Sequence, residues 1–407
     1  MATHIIAVSD LHLSATQTSV GENPKIREGF FYDDIFARFS HHLLSCAAEA
    51  AGSWRLLILG DGVDFLHTRT IREQNPLCPS SKFAETHSKL DLIFDAHPQF
   101  FASLGQLLAN GFYIDIVPGN HDIEFVRSET QSHFRRLMQR HAPVDAINEH
   151  LAFFSWLYHV PGILYAEHGN QYHIINSFTT LLVPLVNQHT GEVEHPLGTY
   201  FDLYLSYLRE HGGPPKEDTS NLWGHILREL LKRPFAFMAQ FPAHLHFFWQ
   251  AVKFLFYRLS PWMTVKRRKY RRDNFPAYAK HVQFNQRSLA KLDNIAAIPG
   301  TELLARVLGR LIFGRATNES HLQKSAQKIH AALKREREEV LFYLFGHSHT
   351  AAKLPIDEKS FYLNDGAWAP EEFPGHPDNK TNFPYVHIHW GDQAAPEAEL
   401  KSWRLDV

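Results

Sequence analysis

Cysteine is nearly absent from this chain: its 407 residues hold two, Cys46 and Cys78. So few thiols exclude a disulfide-stapled scaffold and are expected to stay reduced, as in a cytoplasmic protein. Long apolar runs are missing too. The most apolar stretch, 235–263, is interrupted by Pro242, Lys253, Arg258 and Pro261. A membrane-spanning helix wants about 20 nearly uncharged residues, so none is expected. The start, M-A-T-H-I-I-A-V-S-D, has neither a charged leader nor a long apolar segment, so no secretory signal is expected. Acid is missing locally. The net charge is −2, yet between Leu230 and Arg272 there is no Asp or Glu, while Lys232, Arg233, Lys253, Arg258, Lys266, Arg267, Arg268, Lys269, Arg271 and Arg272 fall there. A basic block on a near-neutral chain points to an anionic partner or substrate, although a solvated charge run is the plainer alternative.

What is present is enough to build a large core: 44% of residues are hydrophobic and 13% aromatic. Up to about residue 170, apolar strand-like runs alternate with longer amphipathic stretches, the α/β pattern. His4 to Val8, Arg55 to Leu59, Tyr113 to Val117 and Ile163 to Ala166 read as strands. Asp33 to Ala51 and Asp95 to Asn110 read as helices, closed near Gly52 and Gly111. Leu341 to Phe345 is a further strand, followed by short strands near 352–355, 360–363, 385–389 and 400–405 that suggest mainly antiparallel sheet. Between them, 171–340 carries apolar and aromatic residues at helical spacing, with Gly212 to Pro215 as a turn. The division expected is therefore 1–170 and 341–407 as the two halves of one core, with 171–340 as a helical insertion.

Five short motifs follow the strand-like runs: S-D-L-H (Ser9 to His12), G-D-G-V-D (Gly60 to Asp64), G-N-H-D (Gly119 to Asp122), E-H-G (Glu167 to Gly169) and G-H-S-H (Gly346 to His349). In open α/β sheets ligands bind beyond the carboxyl ends of strands, and every motif occupies that position. On an extended segment Asp10 and His12 project to one side and can chelate one ion. Asp61 has two carboxylate oxygens and can bridge two cations. Asn120 supplies a neutral amide oxygen, and His347 and His349 can reach one metal each. Singly, each residue is more simply a cap, a turn or a surface histidine in a chain with 28 histidines. Five in order, each ending a strand, are hard to ascribe to chance. Two ions about 3.5–4 Å apart are the usual apparatus for displacement at phosphorus.

The ordered set resembles the calcineurin-like metallophosphoesterase superfamily, whose pattern is D-x-H, G-D-x-x-D, G-N-H-D/E, a lone H and G-H-x-H. The resemblance covers the segment to about Asn170 and the region from Leu341 on. It implies a β-sandwich flanked by helices (αββα), here carrying a large helical insertion. It further implies that Asp10, His12, Asp61 and His349 hold one metal and that Asp61, Asn120, His168 and His347 hold the other. His159, His173 and His189 compete with His168 as the lone histidine, but only His168 follows a clean strand and precedes glycine. His121 is implied to contact the phosphoryl oxygen or protonate the leaving group, with Asp64 orienting it. The implied activity is hydrolysis of a phosphodiester, pyrophosphate or phosphomonoester by in-line attack of a metal-bridging hydroxide. Mixed oxygen and nitrogen ligation admits Mn, Fe, Zn or Co, with Mn expected.

The insertion is expected to choose the substrate. Phe247, Phe248, Trp249, Phe254, Phe256 and Tyr257 could line an apolar channel beside the 266–272 basic cluster, or form an ordinary helical core. Such an arrangement is similar to UDP-diacylglucosamine hydrolases of lipid A synthesis, but those generally have arginine where His121 stands here. Aromatics beside a basic cluster also suit peripheral contact with an anionic membrane through 245–272, at the inner face of the membrane. Nucleic acid is a lesser alternative. A non-catalytic metal- or anion-binding module is the alternative outside enzymes. Asn170 to Tyr172 could touch substrate or cap a turn, N-D-G-A-W at Asn364 to Trp368 is expected to turn the chain, and His244 and His246 are not expected to be ligands.

Overall fold

A computed structural model of the chain describes residues 2–16, 25–26, 30–70, 77–173, 175–178, 186–187, 190–210, 231, 234–260, 265, 269–270, 273, 288, 291–292, 320–369, 382–391 and 394–404. In chain order the elements are β1 (Thr3–Val8), β2 (Ala15–Thr16), β3 (Lys25–Ile26), α1 (Asp33–Glu49), β4 (Ser53–Leu59), α2 (Phe83–Ala96), α3 (Pro98–Ala109) and β5 (Tyr113–Val117). Then come α4 (Ser128–Met138), α5 (Val144–His150), β6 (Leu151–Phe153), β7 (Leu157–Val160), β8 (Leu164–Glu167), α6 (Leu197–Glu210), α7 (Pro234–Leu259) and α8 (Ser320–Arg335). The last strands are β9 (Phe342–Phe345), β10 (Ala352–Pro355), β11 (Phe361–Asn364), β12 (Asn382–Trp390) and β13 (Glu397–Arg404).

The strands form a six-stranded sheet, β13-β12-β1-β4-β5-β6, and a five-stranded sheet, β10-β11-β9-β8-β7, beside a small β2-β3 ribbon. Side chains alternate faces along a strand, and here both faces are apolar. Ile5, Ala7, Leu57, Leu59 and Val117 of the first sheet pack against Leu164, Ala166, Phe342, Leu344 and Leu363 of the second. Their neighbours Ile6, Val8, Leu56, Ile58, Ile114 and Ile116 turn the other way, onto Phe36, Phe39, Ile93, Phe101 and Leu104 of α1, α2 and α3. On the second sheet Tyr165, Tyr343, Phe345 and Tyr362 face Leu322, Ala326, Ile329 and Leu333 of α8. The layers are therefore helix, sheet, sheet, helix. Helix α8 falls in 171–340, yet it supplies this outer layer.

The carboxyl-terminal strands pair mainly antiparallel, as expected, but divide between the two sheets: β10 with β11, β12 with β13 and β12 with β1 are antiparallel, and β11 with β9 is parallel. The expected helix Asp95 to Asn110 is α3, opened by Pro98 in its first turn, where a missing N–H costs nothing. Away from the sheets, α6 and α7 pack through Tyr204, Leu205 and Leu208 against Ala243, Phe247 and Ala251. Cys46 and Cys78 are both free thiols. Among the described residues no helix is long and apolar enough to cross a membrane. The turn at Gly212 to Pro215 and the basic residues Lys232, Arg233, Lys266, Arg267, Arg268, Arg271 and Arg272 lie outside the described residues.

Candidate metal centre

Strands β1, β4 and β5 run parallel in one sheet, and β8 and β9 run parallel in the other. Their carboxyl ends deliver the five motifs to one place. Backbone bonds stitch the loops together: Asp10 N to Gly60 O at 3.1 Å, His12 N to Asp61 O at 2.8 Å, and Gly346 N to His168 O at 3.1 Å. Asp10 Oδ2 accepts from His347 N at 2.9 Å, which joins the first motif to the last.

The backbone here is unusual. Among the described residues the non-glycine positions with positive φ are Asp10 (52°), His12 (54°), Asp61 (51°), His347 (64°), His349 (59°) and Arg337 (62°). All but Arg337 are residues the motifs single out. Left-handed backbone costs an L-residue roughly 1–2 kcal/mol and concentrates at functional sites, though Asp and His tolerate it better than most. Gly60, at φ 86°, allows the same tight path, and a Cβ there would run into the His168 ring. A Cβ on Gly119 would run into the Asp61 carboxylate.

The donors fall into two adjacent groups. Asp10, His12 and His349 offer ligand atoms within 4.8 Å of one another, and so do Asp61, His168 and His347. The groups touch. His12 Nε2 lies 3.9 Å from Asp10 Oδ1 and 3.8 Å from Asp61 Oδ2, while His168 Nε2 lies 3.1 Å from Asp61 Oδ2 and 3.9 Å from Asp10 Oδ1. His349 Nε2 is 3.2 Å from Asp10 Oδ1. Separations near 3 Å are those of two atoms sharing one ion at about 2.1 Å each. Asp10 Oδ1, His12 Nε2, Asn120 Oδ1 and His168 Nε2 are all buried and, apart from the carboxylate–imidazole contacts at 3.1 and 3.2 Å just given, make no hydrogen bond among the described residues. Buried polar atoms are normally fully paired, so donors left short of partners in these loops suit an ion as the missing partner.

The surrounding contacts aim these atoms inward. His168 Nδ1 donates to Leu59 O at 3.0 Å, leaving Nε2 for the centre. His12 Nδ1 lies 3.1 Å from Asp64 Oδ2, again leaving Nε2. Outer hydrogen bonds of this kind fix the tautomer of metal-binding histidines. Asp61 Oδ1 accepts from His121 N at 2.8 Å. Two other carboxylates brace the loops. Asp122 accepts from Gly119 N at 2.6 Å and Gly62 N at 2.8 Å, and burial followed by the charge of Asp61 raises its pKa to about 7. Ser9 Oγ lies 2.5 Å from Asp10 Oδ2 and 2.7 Å from Asp365 Oδ1. N-D-G-A-W therefore does more than turn the chain: Asp365 backs Asp10, and Asn364 Nδ2 donates to Gly346 O at 2.8 Å.

Burial works against every charge in this site, and at Asp10, Asp61, His168 and His121 the pairing overrides it. Asp10 and Asp61 are held below the usual carboxylate range, chiefly by His168. His168 is raised to about 10 by Asp61 and Asp10. His12 and His347 are lowered, first by burial. His121 is raised to about 9 by Asp64 and then Asp61.

Two further donor groups adjoin these: His12, Asp61 and His121, and Asp64, His67 and His121. In the last of them both histidines hydrogen-bond the carboxylate. Asp64 Oδ2 lies 3.0 Å from His121 Nδ1 and 2.8 Å from His67 Nδ1, and Asp64 Oδ1 accepts from His67 N at 2.8 Å. His67 is a residue the sequence reading missed. The only clue is its place in the turn after G-D-G-V-D.

Of the competing histidines, His159 is on β7 with its pKa lowered to about 4 by burial, and His189 lies outside the described residues. His173 Nδ1 comes within 3.2 Å of His347 Nε2, so it borders the site without displacing His168. Asn170 to Tyr172 is a buried 3-10 turn whose Tyr172 hydroxyl donates to Glu167 at 2.6 Å. His244 Nδ1 bonds the Tyr204 hydroxyl at 2.6 Å, joining α6 to α7. The expected apolar channel is not assembled as drawn: Phe247 is buried on Tyr204, while Phe248, Trp249 and Phe256 face solvent and the Tyr257 side chain lies outside the described residues.

No family model and no curated protein matches the chain. Among solved structures, a dimetal phosphatase from Danio rerio is similar with a TM-score of 0.35 at 10% identity, covering 98% of each chain. A Staphylococcus aureus protein described as a candidate 5'-nucleotidase, solved with alpha-ketoglutarate, has a TM-score of 0.33 at 12% identity, covering 100% of this chain and 55% of that one. At these scores neither likeness bears on chemistry, which rests on the geometry of the donors.

Proposed function

We propose that the chain is a phosphoric ester hydrolase that works with two divalent metal ions. The observation that carries this is that Asp10, His12 and His349, and likewise Asp61, His168 and His347, bring ligand atoms within 4.8 Å of one another at the ends of strands from both sheets. Asp10, His12, Asp61 and His349 would hold one ion, and Asp61, Asn120, His168 and His347 the other, with Asp61 shared. The donors mix carboxylate, amide and imidazole, a set that suits Mn and also admits Fe, Zn or Co. When bound, two such cations draw charge from a phosphoryl group and generate a nucleophile from water at neutral pH. His121 is mostly buried, and in the metal-free chain Asp64 and then Asp61 raise its pKa to about 9 against burial, which suits it to give a proton to a departing oxygen. Asp64 holds its Nδ1, which presents Nε2 to substrate.

The decisive experiment compares bis-p-nitrophenyl phosphate with p-nitrophenyl phosphate on metal-stripped protein resupplied with Mn. Metal-dependent turnover of the diester alone makes the substrate a phosphodiester or pyrophosphate, and preference for the monoester makes it a phosphomonoester. Two bound ions with no turnover of either would favour a non-catalytic metal-binding module and refute the proposal for small esters.

A second reading, work at an anionic membrane surface, has its own support in α7. Phe235, Met238, Phe241, Leu245, Phe248, Trp249, Val252 and Phe256 are all exposed, spaced by three and four along one side of the helix. Exposed aromatic faces of this size suit an interface, and the absence of acid through Arg272 suits anionic lipid better than nucleic acid, for which no further feature speaks. Co-sedimentation with vesicles, lost when Phe248 and Trp249 become Ser and reduced by salt, is the expected result. Equal binding to neutral and anionic vesicles would remove the electrostatic part of this reading.

A further inference from the structure

The acid end of the site continues past Asp64 into a helix that belongs to neither sheet layer. His67 Nδ1 lies 2.8 Å from Asp64 Oδ2, and its Nε2 lies 3.1 Å from Asp202 Oδ2 on α6. The His67 ring stacks beside that of His121, with centroids 5.6 Å apart and planes at 23°. A second tie joins the same two segments, because Arg69 Nη1 lies 3.4 Å from Glu210 Oε2 at the far end of α6. His67 is buried, and Asp202 is a third exposed along its side chain.

We propose that His67 and Asp202 are positioning residues for the His121 end of the site: Asp202 fixes His67, His67 with Asp64 fixes His121, and helix α6 thereby completes the machinery that protonates the leaving group. Asp64 alone faces His12, His67 and His121 through one oxygen, so nothing in that carboxylate decides how the three rings share it. Asp202 settles the matter by taking the far nitrogen of His67. An imidazole held at both nitrogens cannot flip, and the stacked His121 ring inherits its orientation. Burial lowers the proton affinity of His67, but Asp64 and then Asp202 raise it well above the ordinary value, which keeps both nitrogens donors.

The inference rests on the phosphoesterase reading, so its test has one arm that needs turnover and one that does not. Asp202→Asn is measured on the p-nitrophenyl ester the protein prefers and on the matching phenyl ester, whose poorer leaving group depends more on protonation. Expected is a kcat loss on the phenyl ester about 10- to 100-fold larger than on the p-nitrophenyl ester, with KM and metal content near wild type, as for loss of an outer hydrogen bond. Asp202→Glu should recover most of it. Glu210→Gln, which loosens α6 without touching His67, should show no such discrimination. The second arm reads imidazole nitrogen shifts in the metal-free protein, where Asp202→Asn should move His67 and His121 and leave His347 in place. Equal losses on both esters, a change in KM alone, the same discrimination in Glu210→Gln, or unmoved His121 shifts would overturn the proposal. If wild type hydrolyses neither ester, the phosphoesterase reading fails and the imidazole arm still decides this one.

Discussion

Loading the centre with metal should release a proton, and the structure says which one. In the metal-free chain, His168 sits 3.1 Å from Asp61 and 3.9 Å from Asp10; burial disfavours its charged form, but the two carboxylates raise its pKa to about 10. A histidine must be neutral to bind metal, so the ion that takes His168 displaces its proton. His12 and His347 are already held below the ordinary value and carry none to lose at neutral pH. Below its pKa, one displaced proton makes log K climb by one for each pH unit. From pH 7 to pH 8.5 the affinity for that ion should rise roughly 30-fold, about 2 kcal/mol. Calorimetric titration with Mn in buffers of different ionisation enthalpy counts the protons directly. A water between the ions could release one as well, so the comparison is with His168→Asn, which should release one proton fewer and lose that part of the slope. An affinity flat across this range, or equal proton release from the variant and wild type, would refute the argument.

Asp61→Asn, which removes the charge shared by both donor groups, should lose most bound metal by elemental analysis and most turnover. His121→Ala should keep its metal but slow the chemical step on a poor leaving group by about 100- to 10,000-fold, and unchanged kcat there would end the acid assignment. Gly60→Ala puts a Cβ into the His168 ring at a positive φ, so metal content should fall while the circular dichroism of the sheets persists. Without metal, the stability contributed by His121 and His168 is full below pH 6.5 and is lost as pH rises through about 9 and about 10. Thermal unfolding of metal-free protein should therefore drop progressively from about pH 6.5 to about pH 10, and less so once metal has displaced the His168 proton.

The parts of this molecule that can be read from sequence are those whose cause is local. Strand β5 runs from Tyr113 to Val117 as its apolar run indicates, and Asp10, Asp61, Asn120, His168, His347 and His349 are placed by the strands that precede them. Helix α2 was missed because its apolar residues run into those of α3, with only His97 and the first-turn Pro98 between them. Strands β6 and β7, three and four residues long, are too short for alternation to declare itself. The parallel pairing of β11 with β9 is hidden for a related reason. Turn residues show that strands are short, but whether β11 pairs with β9 or only with its sequence neighbour β10 depends on the sandwich partner each can bury.

The same distinction runs through the site. Most of the candidate ligands announce themselves because a loop is built around them: Asp61, Asn120 and His347 follow glycine, and Asp10, His12, Asp61, His347 and His349 stand on left-handed backbone, so motif spacing carries the information. Positioning residues need no such backbone. His67 lies in an ordinary turn and Asp202 in an ordinary helix, each a residue type common at such places, and their meeting is created by the docking of α6. That is also why 171–340 looked separable from the core. Its aromatic periodicity reports helices but not what the helices touch, and two of them touch the machinery of the core: α8 closes the second sheet, and α6 reaches Asp64 through His67. A deletion of 171–340 should consequently fail to fold as a minimal phosphoesterase, because Tyr165, Tyr343, Phe345 and Tyr362 would lose the cover of Leu322, Ala326, Ile329 and Leu333. Each buried leucine or isoleucine so removed forfeits about 1.5–3 kcal/mol, comparable in sum to the whole stability of a domain. A deletion that keeps Ser320–Arg335 restores that cover and still lacks Asp202. It should bind two metals and turn over the p-nitrophenyl ester while failing on the phenyl ester; full activity on both would mean that α6 plays no part in the chemistry.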